Sequence, residues 1–467
     1  IFKAMKPGPW ILIGVVVAMM AACQPLSVLP AESSATPLTD NRNREPQALA
    51  SGFFAALLSK DYTTAEADFD ASLRRQFGPD RLARTWQAML DQSGAYQSRD
   101  SNETQIQPPY STYLSTLHFA HSAFEMRVVI DMETRQITGL FFSPSSQVVP
   151  TAEYDAPLYV DRSRFIEREV TVGAAPWALS GTLSLPMGNG PFPVVVLIHG
   201  SGPNDRDETI GAVKPFRDIA WGLATTGIAV LRYDKRSYVY PASESTLSSA
   251  GFTVKDETLD DAHAAIALLR STREVDVRRI FVLGHSLGGM LAPRIAQADS
   301  DLAGLIIMAG PTRPLEDLIV EQTIYQLSLH GAQTSEDNTR LENVKREASA
   351  IKALTPDDAA LTTSSFLGAP PSYWLDLRSY HPAEVARGLK QRMLILWGSR
   401  DYQVTWDDLS GWKAALISRA NIEISVFTDL NHLFVTGKGK STPEEYQQPG
   451  HVDPQVISAL VAWVRKS

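Results

Sequence analysis

The segment RIFVLGHSLGGMLAPRIAQ, residues 279–297, decides how this chain is read. It opens with the apolar run Ile280 to Leu283, as in a strand buried on both faces, and closes with Leu287, Met290, Leu291 and Ile295 at helical spacing. Between the two lies Gly284-His285-Ser286-Leu287-Gly288, a G-x-S-x-G pattern. Three fixed positions of common residue types would be matched by chance about 0.15 times over a chain of this length, so the flanking strand and helix carry the argument. A strand that passes straight into a helix must turn so sharply that side chains at 284 and 288 would strike the backbone. Glycine at both positions allows the turn, and Ser286 is pushed out with its hydroxyl at the positive end of the helix.

A serine hydroxyl is a poor nucleophile until a base takes its proton, and the base needs an acid to orient it. In a sheet of this kind the two follow later strands, acid first. The run ILWGSRD (395–401) ends one such strand and presents Asp401; ISVFTDLNH (424–432) ends the next and presents His432. Asp407 and Asp408 compete for the acid position but read as first-turn charges of the helix WDDLSGWKAAL. Asp429 is a weaker rival, and His381 and His451 are the rivals of His432, neither directly following a strand. Acyl transfer also needs donors for a tetrahedral oxyanion. The backbone N–H of Leu287 is one, and the loop LIHGSGP (197–203) supplies another from Ser201, with Gly202 as second choice. His199 in that loop reads as a loop-stabilising side chain.

Strands and helices alternate from about residue 155 to the end, with apolar runs such as FPVVVLIHG and LAGLIIMAG. This predicts an α/β fold, a doubly wound and mostly parallel sheet. Residues 311–390 interrupt the rhythm with helical sequence too long for an ordinary connection and read as a cap. Residues 45–145 read as a small α+β domain. Leu49, Phe53, Phe54, Leu57 and Leu58, then Leu82, Trp86, Met89 and Leu90, have helical spacing, and β-rich runs follow between about 113 and 142. SPSSQVVP (143–150) reads as the linker between the two parts.

Lys3 and Lys6 precede the apolar run WILIGVVVAMMAA (10–22), the pattern of an export signal too short for a comfortable membrane span. MAAC, ending at Cys23, resembles a bacterial lipobox, with Met20 where leucine is usual; an ordinary cleaved signal with an incidental cysteine is the alternative. Residues 24–44, rich in Pro, Ser and polar residues, read as a flexible tether. The expectation is an exported protein, periplasmic or at the cell surface, held to the membrane by lipid on Cys23. With 44% hydrophobic and 20% charged residues the chain can bury a sizeable core. Its net charge of −9 and lack of any Lys/Arg block argue against a nucleic-acid partner. There is no H-E-x-x-H, cysteine pair, phosphate loop or dinucleotide fingerprint, so neither metal nor cofactor is expected. NDRDE (204–208) reads as a solvated loop with internal ion pairs, and YDKR (233–236) as a strand end whose Asp234 and Arg236 brace neighbouring loops.

Taken together, HGSGPNDRDETIG, GIAVLRYDKR, GHSLGG, LILWGSRDYQVT and DLNHLF resemble the α/β-hydrolase superfamily, in particular a secreted serine esterase family. That family carries an N-terminal cone-like domain of unknown function, which residues 45–145 also resemble. The resemblance implies carboxylesterase activity on short acyl esters, with Ser286, Asp401 and His432 as triad and Ser201 and Leu287 as oxyanion donors. The same triad would serve a thioesterase or peptidase. A further reading from another class is a lipid-anchored binding protein whose hydrolase part is inactive.

Overall fold

The structure, a computed structural model, describes residues 45–93, 95–100, 103–107, 109–119, 123–144, 154–240, 251–329, 334–360 and 366–466. The expected signal segment, Cys23 and the tether lie outside the described residues. The chain forms two compact units that divide between Asp155 and Ala156.

The first unit begins with four helices, α1 (Pro46–Leu58), α2 (Tyr62–Ala65), α3 (Ala71–Gln76) and α4 (Pro79–Ser93). Five strands follow: β1 (Tyr96–Arg99), β2 (Glu103–Gln107), β3 (Tyr110–Phe119), β4 (Ala123–Asp131) and β5 (Gln136–Pro144). Their antiparallel sheet runs β1-β3-β4-β5, with β2 also paired to β3. Along β3 and β4 burial alternates residue by residue, so only one face is covered. The helices cover it: Leu49, Phe53, Phe69 and Trp86 share a core with Leu117, Phe119 and Val128. Ser143 and Pro144, read as linker, pair with Glu125 and Phe124 instead and complete β5.

The second unit is built on eight strands: β6 (Phe165–Val172), β7 (Leu179–Pro186), β8 (Phe192–Ile198), β9 (Ala229–Tyr233), β10 (Val275–His285), β11 (Gly304–Met308), β12 (Arg392–Gly398) and β13 (Ile422–Phe427). Their spatial order is β13-β12-β11-β10-β8-β9-β7-β6. The pairings from β9 to β13 are parallel, and β6 and β7 add an antiparallel edge. Between them run α5 (Pro215–Thr225), α6 (Arg236–Val239), α7 (Asp260–Arg270) and α8 (Leu287–Ala298), with α13 (Trp406–Leu416) and α14 (Pro454–Arg465) towards the end. Val194 to Ile198, Ile280 to Leu283 and the whole of β11 are buried because helices lie on both faces. After β8 the chain moves outward to β9, then returns to place β10 on the other side of β8. The carboxyl ends of β8 and β10 therefore flank the point where strand order reverses, the crevice in which open α/β sheets hold ligands.

Four helices, α9 (Leu315–Ser328), α10 (Ser335–Ala353), α11 (Pro371–Arg378) and α12 (Pro382–Gly388), are inserted between β11 and β12, across the segment read as a cap. Its entry is held by Asp408 on α13. This buried carboxylate accepts from the Thr312 and Arg313 N–H groups and pairs with the Arg313 guanidinium at 2.8 Å.

Candidate active site

Ser286 stands between β10 and α8 at φ 52°, ψ −118°, a backbone conformation that a non-glycine residue adopts only at a cost of about 1–3 kcal/mol. Its own N–H donates to Met308 O at 2.9 Å, and its carbonyl accepts from Met290 N–H at 3.0 Å, which fixes the turn from both sides. The flanking glycines are required by contact. A Cβ on Gly284 would lie 2.0 Å from the Gly288 carbonyl oxygen, and one on Gly288 would lie 2.2 Å from that of Ile198. The second contact also explains why the elbow sits so close to β8. Leu287 is the first residue of α8, so its N–H has no carbonyl one turn back to bond.

Asp401 and His432 meet directly. His432 Nδ1 lies 2.7 Å from Asp401 Oδ2, both side chains being buried. The other carboxylate oxygen, Oδ1, accepts from the N–H groups of Gln403 and Val404 at 2.8 and 3.0 Å, so the acid is pinned before it meets the ring. An ionised carboxylate can only accept, which assigns the proton to Nδ1 and leaves Nε2 with a free lone pair. The loop after the edge strand β13 folds back over the end of β12, where Arg400 N–H donates to Leu430 O at 2.9 Å. Asn431 holds that loop: its side-chain oxygen accepts from Leu433 and Val435 N–H.

At His432 the ring Nδ1 bonds Asp401 and the carbonyl oxygen accepts from the His285 ring, and neither bond involves Ser286. Ser286 directly follows His285, whose ring centroid is 4.8 Å from that of His432. Two of the rivals are engaged elsewhere and a third is exposed. His451 Nδ1 faces Asp218 at 3.3 Å, Asp408 is the clamp on the inserted helices, and Asp429 is exposed.

The loop after β8 brings Gly200 against the elbow, where a Cβ at 200 would be 3.2 Å from that of Ser286. Among the described residues no acceptor takes up the Ser201 N–H. His199 turns away: its Nε2 bonds Asp205 O at 3.1 Å, its ring packs on Phe216 and Tyr233, and burial lowers its pKa to about 4. It is a neutral structural side chain.

The NDRDE segment departs from the expected solvated loop. Asp207 and Glu208 are buried, because their partners come from distant parts of the chain. Arg232 and Arg217 hold Asp207. Glu208 accepts the Gly200 N–H at 2.6 Å through Oε1 and places Oε2 2.9 Å from His285 Nδ1, an ion-pair contact too poorly aligned to be a hydrogen bond. His285 Nε2 in turn lies 3.0 Å from the His432 carbonyl oxygen. Burial opposes both charges, but each outweighs it for the other. Glu208 is held below the usual carboxylate range and His285 above the usual imidazole range.

The sign of the pH effect follows. The Glu208 contribution to stability is complete above its unfolded pKa of about 4.3 and fades as pH falls through its depressed value. That of His285 is complete below about 6.5 and fades as pH rises through its raised value. Glu208→Gln is expected to cost about 3–5 kcal/mol at pH 6, because it leaves one charge of a buried pair uncompensated. It should also abolish the wild type's loss of stability on the alkaline side. Urea midpoints at pH 6 and pH 8.5 measure both, and equal midpoints for the two proteins at pH 6 would refute the pairing.

The sequence places Ser286, Asp401, His432, Ser201 and Leu287 at strand ends, and the structure brings Asp401 to His432 and Gly200, the neighbour of Ser201, to the elbow. The roles of Glu208 and Asn431 were not read from the sequence, where Glu208 lies inside the NDRDE run and Asn431 directly precedes His432. Comparison with known proteins accords with this architecture. Residues 195–446 match the model of the Alpha/beta hydrolase family, and residues 50–140 match that of a protein of unknown function (DUF3887). Esterase EstD of Thermotoga maritima is 40% identical over 415 residues, covering 89% of this chain and 94% of that protein. Among solved structures, a Pyrococcus furiosus esterase is 18% identical over 65% of this chain and 91% of its own, with a TM-score of 0.43. Est1E from Butyrivibrio proteoclasticus is 14% identical over 64% and 98%, with a TM-score of 0.40. On the strength of the family match and of its similarity to EstD across most of both chains, the chain belongs to the alpha/beta hydrolase family.

Proposed function

We propose that the chain hydrolyses small carboxylic esters through an acyl-enzyme on Ser286. The observation that carries this reading is the Asp401–His432 pair, which leaves Nε2 uncommitted at the sheet end where a strained Ser286 projects. Similarity to an esterase along most of the chain supports the ester as substrate. His432 Nε2 takes the Ser286 proton as Oγ attacks the ester carbonyl carbon. The carbonyl π electrons move to oxygen, where the N–H groups of Ser201 and Leu287 receive the charge, each worth about 3–4 kcal/mol. Collapse expels the alkoxide, which His432 protonates, and water repeats the cycle on the acyl-enzyme.

The test is a panel of p-nitrophenyl acetate and butyrate, the matching thioesters and aminoacyl p-nitroanilides. The highest kcat/KM is expected on the short esters, and preference for a thioester or an amide would reassign the substrate class. We also propose that the chain is exported and lipid-anchored through Cys23. Cys23→Ser should move it from the membrane to the soluble fraction of the cells that express it, and unchanged partition would remove the anchor.

A further inference from the structure

Just past the end of β9 lies Lys235, a buried cation with no role in the groups assigned above. Its side chain is 3% exposed, and its Nζ donates to the Gly200 carbonyl oxygen at 2.8 Å and pairs with Glu257 Oε1 at 3.1 Å. Glu257, on the turn leading into α7, is itself buried and accepts through Oε2 from the Tyr373 hydroxyl at 2.8 Å. Tyr373 belongs to α11, one of the inserted helices. A buried ammonium is expensive unless it is paired and bonded, so its placement on a backbone carbonyl is a specific feature of the loop.

The carbonyl it holds belongs to one peptide unit with the Ser201 N–H. That unit is trans, so its C=O and N–H point in opposite directions and fixing one aims the other. The Gly200 N–H is tied to Glu208, and the Asn204 amide reaches the same carbonyl oxygen at 3.3 Å. We propose that Lys235 is a positioning residue for oxyanion stabilisation. Its ammonium grips and polarises the Gly200–Ser201 peptide so that the Ser201 N–H is preorganised towards the carbonyl oxygen that becomes the oxyanion. Tyr373, acting through Glu257, ties that grip to the inserted helices. The inference rests on the reading of Ser201 as an oxyanion donor.

A loosened donor weakens binding of the charged tetrahedral state more than binding of substrate. Lys235→Met, and Lys235→Met/Glu257→Gln to avoid an unpaired buried carboxylate, are expected to lower kcat on p-nitrophenyl butyrate by about 10- to 100-fold, with KM within about twofold, part of the loss for removing one donor outright. Inhibition by an alkyl trifluoromethyl ketone, which forms a hemiketal oxyanion on the serine, should weaken in parallel, while inhibition by the corresponding methyl ketone stays within about twofold. Lys235→Arg should recover part of kcat, since it keeps a donor on the carbonyl. Circular dichroism and a urea titration identify the variants that fold. A folded double variant with kcat within about twofold of wild type, or with both ketones weakened equally, would overturn the proposal. If the trifluoromethyl ketone fails to inhibit the wild type, the reading of Ser286 and Ser201 falls instead.

Discussion

Ser286→Ala is expected to lower kcat on p-nitrophenyl butyrate by about 10⁶-fold, or roughly 8 kcal/mol of barrier, with the urea midpoint almost unchanged. The size follows from chemistry. Without the hydroxyl no covalent intermediate forms, and the N–H groups of Ser201 and Leu287 can only assist direct attack by water. Stability should hold because alanine keeps the backbone bonds to Met308 and Met290 and the same strained turn. Turnover within tenfold of wild type, measured on protein freed of contaminating esterases, would remove Ser286 from its role.

Asp401→Asn is expected to cost about 10⁴-fold in kcat, near 5 kcal/mol, with the fold retained. An asparagine oxygen in the place of Oδ1 would still accept the Gln403 and Val404 N–H groups, so the loop after β12 survives. Its NH₂ group would then face His432 Nδ1. A donor there forces the imidazole proton onto Nε2, where the ring would meet the serine as a donor and could no longer act as its base. The comparison variant is Asp429→Asn, on the exposed part of the His432 loop, whose activity is expected to stay close to wild type. The reverse pattern would show that the acid was misassigned.

The local sequence carried much of the fold because its information is local. Unbroken apolar runs at Val194–Ile198 in β8 and Gly304–Met308 in β11 leave no solvent face, and a sheet covered on both sides follows. The elbow was legible through glycines whose missing side chains are a steric necessity, as the 2.0 and 2.2 Å approaches at Gly284 and Gly288 show. Asp401 and His432 were legible because each follows a strand. What stayed hidden was burial of charge. NDRDE and YDKR have the composition of solvated loops, and nothing within either run marks Glu208 or Lys235 as interior. Their partners, His285 and Gly200 for the one and Gly200 and Glu257 for the other, come together only when the ends of β8, β9 and β10 are side by side. Likewise Asp408 has the appearance of a helix first-turn charge, and its role as a buried clamp depends on Thr312 and Arg313, far back in the chain.

The central claim is that one hydroxyl, at position 286, becomes covalently modified because His432 removes its proton. Reaction with a fluorophosphonate followed by peptide mass mapping addresses it directly. A single adduct on the peptide carrying Ser286, lost in His432→Ala under the same conditions, is the predicted result. Modification at another serine, or none on folded wild-type protein, would contradict it.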